Sequence, residues 1–511
     1  MANNIAGQRK IGAILSYVSI AANTLVQLLY TPFLVSKLGQ SEYGLYSLVS
    51  SIIGYLTVLD LGFGNAIIVH TTKYRALGER QKERTLLGMF RAIYVCIGIV
   101  AGVVGIILAT NVGGIFGNTM SGAEIEKMRI MLLILSFNLL ITFAFSIYNS
   151  IITASERFVF QKGLAIINTI AKPLLMIPIL FLGFKSIALC LVITAVNAGV
   201  LLTNYIYCKK SLKIRIKYNG FDKALFKIVF AYSFWIFLNQ IVDKVNWSAD
   251  QFILGAVSGT IAVSVYSAAS TINILFINLS TAISGVMLPK ISKMVARGAS
   301  DEELTEEFIK VGRLQYYIVF LMASGLVLFG RQFINLWLGS GFNETYAVAL
   351  LLIIPVCFPL IQNLGLSIMQ AKNRYKFKAI STFIMSIANI GISVFLAKKF
   401  GAIGAAAGTA IALIVCNIIA INIYYAKAIR LNVLRFWRQM LKMTIVFSVP
   451  SIIGFFISNI VVIDKWLVLL AAAGIYTIAF MAIAYFGCAN KYEKGLVNKL
   501  ISIAGRRKHA N

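Results

Sequence analysis

The chain has 511 residues, of which 59% are hydrophobic and only 13% charged, and it carries a formal net charge of +29. A soluble chain of this length would carry charge on about a quarter of its residues, so a water-soluble globular fold is excluded. The apolar residues fall in runs of about 20, the length that crosses a ~30 Å hydrocarbon core at 1.5 Å rise per residue. The fold class is therefore an all-α polytopic membrane protein.

In chain order, the first predicted element is a retained span over 11–36. It follows "MANNIAGQRK" and is too long for the apolar core of a cleaved signal peptide. Spans follow at 44–69, 89–113, 130–151, 164–183, 187–207 and 228–250, then at 252–257 continuing through 266–288. Six more are predicted at 314–334, 347–369, 379–397, 402–425, 440–458 and 466–488, which makes fourteen. The seventh and eighth are poorly separated, because the stretch around Asp250 is half polar.

Between the first two spans lies a polar hinge with two glycines, Gly39 and Gly44, in "TPFLVSKLGQSEYGLYSL". Glycine permits the tight turn, and the polar side chains are expected to stay in water. The segment 208–227, "CKKSLKIRIKYNGFDKALFK", is basic and amphipathic and is expected to lie along the inner membrane surface. "SKMVARGASDEELTEEFIK" (292–310) reads as an exposed helix on the same side, with Ser300 and Glu303 at capping-box spacing.

The charge has a simple placement. With the N-terminus inside, the basic clusters at 73–91, 209–227, 290–297, 427–442 and 506–508 all fall on one face, as the positive-inside rule requires. That puts both termini in the cytoplasm. The basic face attracts anionic lipid, and nucleic acid is not an expected partner. The six cysteines stand singly, with no CxxC or metal spacing, and read as small buried hydrophobes. His70 and His509 lack metal-ligand company, and "GFG" at 62–64 lacks the third glycine and the strand of a dinucleotide loop. No nucleophile and base stand together, so an enzyme is not expected.

The chain repeats itself. At an offset of 220, Tyr46-Ser47 falls on Tyr266-Ser267 and Gly39 on Gly259. At an offset of 217, "ASERFVF" (154–160) falls on "AKNRYKF" (371–377). A duplicated six-helix unit in parallel orientation accounts for both matches. The expected organisation is an N-lobe over 1–207, a basic linker over 208–227 and a C-lobe over 228–425. Residues 426–511 hold the last two spans and a basic tail.

Polar side chains inside spans are costly and are functional candidates by default. The first span carries Ser16, Ser19, Asn23, Gln27 and Tyr30 at steps of three and four; the seventh carries Asn239, Gln240, Asp243, Lys244, Trp247 and Asp250. Each set forms one helical stripe, and the two stripes facing each other would line a wet cavity. Interhelical polar contacts are the plainer alternative. Asp60 lies in the second span, and Lys172 in the fifth just before Pro173 and near Pro178, which bend a helix. Lys172 is expected either to pair with Asp60 or to snorkel toward water. Arg91 and Arg313 sit at inner span ends, where ordinary anchoring also explains them.

The stretch "TPFLVSKLGQSEYGLYSLVSSIIGYLTVLDLGFGNAI" resembles the opening signature of Wzx-type polysaccharide flippases. Pro32, Leu38-Gly39, Tyr43-Gly44 and Asp60-Leu61-Gly62 carry the resemblance. "DQFILGAVSGTIAVSVYSAAS" is similar to the companion motif of the second half, and "FGAIGAAAGTAI" to a late glycine-alanine helix start. These motifs belong to the MOP superfamily, which joins Wzx proteins, lipid II flippases and drug antiporters of the MATE group. The resemblance implies a V-shaped pair of six-helix lobes plus two C-terminal helices. It also implies transfer of undecaprenyl-pyrophosphate-linked oligosaccharide from the cytoplasmic to the periplasmic leaflet by alternating access.

On that reading Lys172 and Lys244, with Arg91 and Arg313, attract pyrophosphate, lysine acting as a point charge. Asn23, Gln27, Asn239, Gln240 and Trp247 contact sugar. Asp60, Asp243 and Asp250 are candidates for coupling to H+ or Na+, and no other cofactor is expected. Expected partners are the lipid-linked substrate, the bilayer, and the polymerase and glycosyltransferases of polysaccharide assembly, with the protein itself a monomer. The alternative is a MATE-like exporter of small cationic compounds, which would want cavity carboxylates without competing lysines. A non-transporting scaffold is a third reading.

Overall fold

The computed structural model describes the backbone of residues 2–496 and 498, except 215, 217, 219, 285, 286, 461 and 462; the side chains of Asn239, Asp243 and Trp247 also lie outside the described residues. The described chain is helical nearly throughout. In order come α1 (Ala2–Leu38), α2 (Gln40–Leu56), α3 (Phe63–Ala76), α4 (Arg80–Phe116), α5 (Gly122–Ala154), α6 (Phe158–Phe181) and α7 (Ser186–Lys210). Then follow α8 (Lys223–Ser284), α9 (Leu288–Ala296), α10 (Asp301–Leu338), α11 (Glu344–Ile361), α12 (Asn363–Ala371) and α13 (Lys376–Leu413). The set ends with α14 (Ile421–Tyr424), α15 (Val433–Ile460) and α16 (Trp466–Gly487), and π-helical turns at 414–420 and 425–429 flank α14.

Among the described residues thirteen helices are long and apolar enough to cross a membrane. One of them, Lys376–Ile429, runs for 54 residues, far more than the ~20 that one crossing needs. It breaks at Gly401, where φ is +54°, and so makes two crossings. The total agrees with the fourteen expected.

The seventh and eighth spans do not divide near Asp250 as the sequence suggested. α8 stays helical through Asp250 and breaks at Gly259, whose φ of +82° only glycine adopts at little cost. The polar stretch is tolerated inside the helix because it bonds across the break. Tyr266 donates to Asp250, and Gln251 donates to Ser267 at 3.1 Å. The second span is likewise interrupted, by a 3₁₀ turn at Thr57–Asp60 and two left-handed residues, Leu61 and Gly62. The tenth is interrupted at Gln362 between α11 and α12.

The sequence repeat recurs as geometry. Gly39 and Gly259 share a φ of +82°. Within the 217-residue match, Glu156 and Asn373 are both left-handed, at +54° and +55°. At the same offset Phe160 stacks on Tyr207 and Phe377 on Tyr424, with centroids 3.8 and 4.1 Å apart. Chance similarity of greasy segments would not reproduce a backbone outlier and a stacked ring pair at one spacing.

By contacts the chain forms two compact units, 1–267 with 392–405, and 268–391 with 406–511. In the first, α4 packs on α5 through Gly98, Gly102 and Gly105. A Cβ on Gly98 would lie 2.8 Å from the Leu140 carbonyl, and one on Gly105 would lie 1.9 Å from Ser136 Oγ. Small residues at steps of three and four let the helices approach closely where there is no hydrophobic drive between them. In the second unit α10, α15 and α16 meet around Phe320, Phe447 and Phe480. There Tyr476 donates to Ser324 at 2.5 Å.

Two further expectations are corrected. Among its described residues the linker is not helical between Lys210 and Lys223; its Leu212, Ile214 and Ile216 pack against the core of the first unit. The hinge is not uniformly wet either. Glu42 is buried, accepting from Lys127 at 2.7 Å and from Ser186 Oγ at 2.7 Å, so an ion pair replaces the water expected there. The Ser300–Glu303 capping box forms as expected.

Candidate functional site

Two helix pairs of the first unit hold most of the candidate residues. α1 and α6 run parallel: the Val159 N–H donates to Gln8 at 3.2 Å, a Cβ on Gly12 would touch Phe158, and Tyr30 Oη reaches Met176 Sδ at 2.9 Å. That register puts Asn23 and Gln27 of α1 level with Asn168 and Lys172 of α6. Lys172 is half-buried and has no carboxylate at ion-pair distance among the described residues. One turn earlier, Asn168 Oδ1 is buried with no hydrogen-bond partner. An ammonium and an amide four residues apart share a helix face. Asn168 was readable from that spacing and was missed because its flanks, "LAIINTIAK", look wholly apolar.

The second pair is α2 with the first half of α8, packed antiparallel. Ser51 Oγ donates to the Ser248 carbonyl at 3.2 Å, and Lys244 Nζ lies 3.6 Å from where a Cβ on Gly54 would stand. A Cβ on Gly62 would meet Ile236 at 2.8 Å and the Ser233 carbonyl at 3.0 Å. Gly54 thus leaves space for the Lys244 ammonium, a role the sequence did not advertise. Gln240 is half-buried on the same helix.

The expected pairing of Asp60 with Lys172 is absent. Asp60 ends the 3₁₀ turn, and its Oδ1 accepts from Tyr94 Oη at 2.8 Å. The main-chain N–H groups of Gly62 and Gly64 also donate to this carboxylate. The position of a Cβ on Gly64 lies 3.6 Å from Tyr94 Oη and 3.7 Å from both Asp60 Oδ2 and Ser150 Oγ. The chain reversal at Leu61-Gly62 turns those N–H groups back onto the side chain, which draws Asp60 to its own turn and away from α6.

Asp250 is 3% exposed and bonded across the Gly259 break. Arg91 is exposed. Arg313, in the second unit, donates to Glu493 at 2.6 and 2.8 Å, to the Cys488 carbonyl at 2.8 Å and to Gln439 at 3.4 Å. Its guanidinium is committed within the protein. Lys378 was also overlooked: it is half-buried on α13 and donates to Asn417 in the first π-helical segment. Such segments recur at functional positions.

Residues 34–347 match the family model described as polysaccharide biosynthesis protein. The chain belongs to that family. Two relatives agree. A Shigella flexneri protein named for O-antigen transport is 22% identical over 399 residues, covering 76% of this chain and 90% of the relative. The Bacillus subtilis (strain 168) membrane protein EpsK is 23% identical over 491 residues, covering 92% and 93%. The fold matches the lipid II flippase MurJ in an inward closed conformation, with TM-score 0.70, 17% identity, and 93% and 98% of the two chains covered. An inward-facing MATE transporter of the MOP superfamily matches with TM-score 0.67 and 13% identity, covering 81% of this chain and 99% of the other. The family and the two sequence relatives agree with a Wzx-type polysaccharide transporter, and the fold is that of MOP-superfamily transporters.

Proposed function

We propose that the protein carries undecaprenyl-pyrophosphate-linked oligosaccharide from the cytoplasmic to the outer leaflet of the bacterial inner membrane. It works by alternating access of two six-helix repeats, 1–207 and 228–425, with both termini in the cytoplasm. The observation that carries this reading is Lys172: a membrane-embedded ammonium, with no carboxylate at ion-pair distance among the described residues, level with Asn23, Gln27 and Asn168. A buried cation is retained against its cost when it has an anion to meet. A pyrophosphate supplies that anion, and the amides suit the sugar beside it. Lys244 at Gly54 is a second cation of the same kind. Cationic cargo would be repelled by both lysines, which disfavours drug export. A proton or sodium gradient drives the cycle.

The test uses proteoliposomes holding the full-length protein and a fluorescent polyprenyl-pyrophosphate-linked sugar, read by a membrane-impermeant quencher. Wild type should expose the sugar at a rate that Lys172→Gln and Lys244→Gln each reduce about tenfold or more, the loss of roughly one charge-assisted contact. Vesicles that leave the sugar protected but accumulate a cationic dye would overturn the proposal in favour of an exporter.

A further inference from the structure

The second unit holds a groove that the transport reading does not use. It has a volume of about 640 Å³ and runs between α10, α11 and α15, within the roughly 300–1,000 Å³ of small-molecule sites. We propose that it binds one anionic phospholipid, the phosphate held by Arg438 and Lys442 and one acyl chain lying between the three helices.

The depth of the groove fits one leaflet. On α15 its lining runs from Leu434 to Thr444, about 15 Å at 1.5 Å per residue, half of a ~30 Å hydrocarbon core. The crossing that holds this stretch is Val433–Phe456, so the groove opens at the basic end of α15 and stops near the midplane. α10 contributes Tyr316 to Ala323, and α11, which runs the other way, Ile354 to Ile361. The groove also opens outward, since Leu434, Leu441 and Ile354 are exposed. A gap of this size beside hydrocarbon takes in a chain, because an unfilled one forfeits its dispersion contacts.

The lining decides which end of the lipid goes where. Its deeper polar groups are spent within the protein: Tyr316 Oη and Thr444 Oγ1 lie 2.6 Å apart, Trp437 Nε1 donates to Asn422 Oδ1 at 2.9 Å, and Cys357 Sγ donates to the Ile353 carbonyl at 3.2 Å. What faces the groove is carbon, from Val319, Phe320 and Phe358 among others, so a chain lying there costs no polar group its bond.

Arg438 is the exception. It lines the groove at the membrane-surface end and is exposed, and among the described residues it has neither a hydrogen bond nor a carboxylate at ion-pair distance. Lys442, one turn on, is exposed on the same face and likewise unpaired among the described residues. Arg435, one turn earlier, is by contrast taken by Glu302 and Glu306. A guanidinium offers phosphate a two-pronged contact. Two free cations together select a headgroup of net negative charge over a zwitterion, whose own ammonium they repel. A basic surface alone would draw such lipids without fixing a chain; the groove gives the chain one place.

The experiment uses full-length protein in detergent and phosphatidylglycerol with a photoreactive group midway along one acyl chain. Phosphatidylcholine with the same chains is the control. Phosphatidylglycerol should bind one per protein, about tenfold tighter than phosphatidylcholine, and irradiation should label the peptides that hold Ala323 and Ile354. Arg438→Gln combined with Lys442→Gln, both at exposed positions, should weaken phosphatidylglycerol binding about tenfold or more and leave phosphatidylcholine binding as it was. Equal affinity for the two lipids, label on other helices, or unaltered affinity in the double variant would each overturn the proposal. So would loss of the label on adding a polyprenyl-pyrophosphate-linked sugar, which would give the groove to the transported lipid. The inference rests on the transport reading only for the orientation that puts the groove in the cytoplasmic leaflet. Failed sugar transfer with intact labelling would count against that reading and leave the site standing.

Discussion

Replacing Lys172 with methionine should make the resting protein more stable and the transporter useless. The side chain is half-buried on α6 beside α1, and among the described residues no carboxylate offsets its charge. A lysine at a helix centre in the bilayer costs about 2.5–3.5 kcal/mol on insertion scales. Partial exposure reduces this by about half, to roughly 1–2 kcal/mol. Methionine keeps the length and flexibility of the chain and removes the charge, so that amount should return as stability, about a five- to thirtyfold change in the folded ratio. The assay is unfolding of purified protein in one detergent at neutral pH without substrate, paired with sugar transfer in liposomes. Lys172→Arg, which keeps the charge, should unfold like wild type and retain most transfer. The reasoning is refuted if Lys172→Met unfolds more easily, because the ammonium would then be making a contact the fold depends on. It is refuted equally if that variant transports normally.

Three other outcomes follow from the geometry. Glu493 lies outside the spans; burial tends to raise its pKa, but the hydrogen bonds and charge of Arg313, with Asn490 and Tyr317, hold it below the usual 4.5. Its stabilisation is therefore complete above the ordinary carboxylate range and fades as pH falls through the lowered value. Acid-unfolding curves should flatten in Glu493→Gln, whereas Glu493→Ala strands Arg313 and should cost about 3–5 kcal/mol. Gly44→Ala would bring a Cβ to 1.9 Å from the Thr260 carbonyl, so thermal stability should fall sharply, and an unchanged melting curve would contradict the packing. Gly54→Leu should fill the space beside the Lys244 ammonium and lower sugar transfer; unaltered transfer would argue against a role for Lys244.

The fold was legible because its controlling signals are local. Apolar runs of bilayer length set the crossings, and basic clusters gave an orientation to propose. The repeat could be aligned by eye because hinge glycines and the "ASERFVF" loop must keep their backbone shape in both copies. Gly39 with Gly259 and Glu156 with Asn373 duly share their φ angles. The interruptions within spans were less visible. "VLDLGFG" reads as a helix end, yet α3 resumes at Phe63, because Asp60 supplies the acceptors that the broken turn's N–H groups need.

Sequence alone thus determined that the chain crosses a membrane many times, that it is a doubled unit, and most of the charges to look for within the spans, though not Lys378. Only the tertiary structure decided what those charges meet. Asp60 bonds its own turn and Tyr94, not Lys172, and Arg313 is spent on Glu493, 180 residues away. Helical periodicity fixes which side chains share a face of one helix, but it carries no information on which helix lies opposite. Partners across helices depend on register and close approach, set here by glycines such as Gly54 and Gly62 whose lack of a side chain matters only once a neighbour is in place.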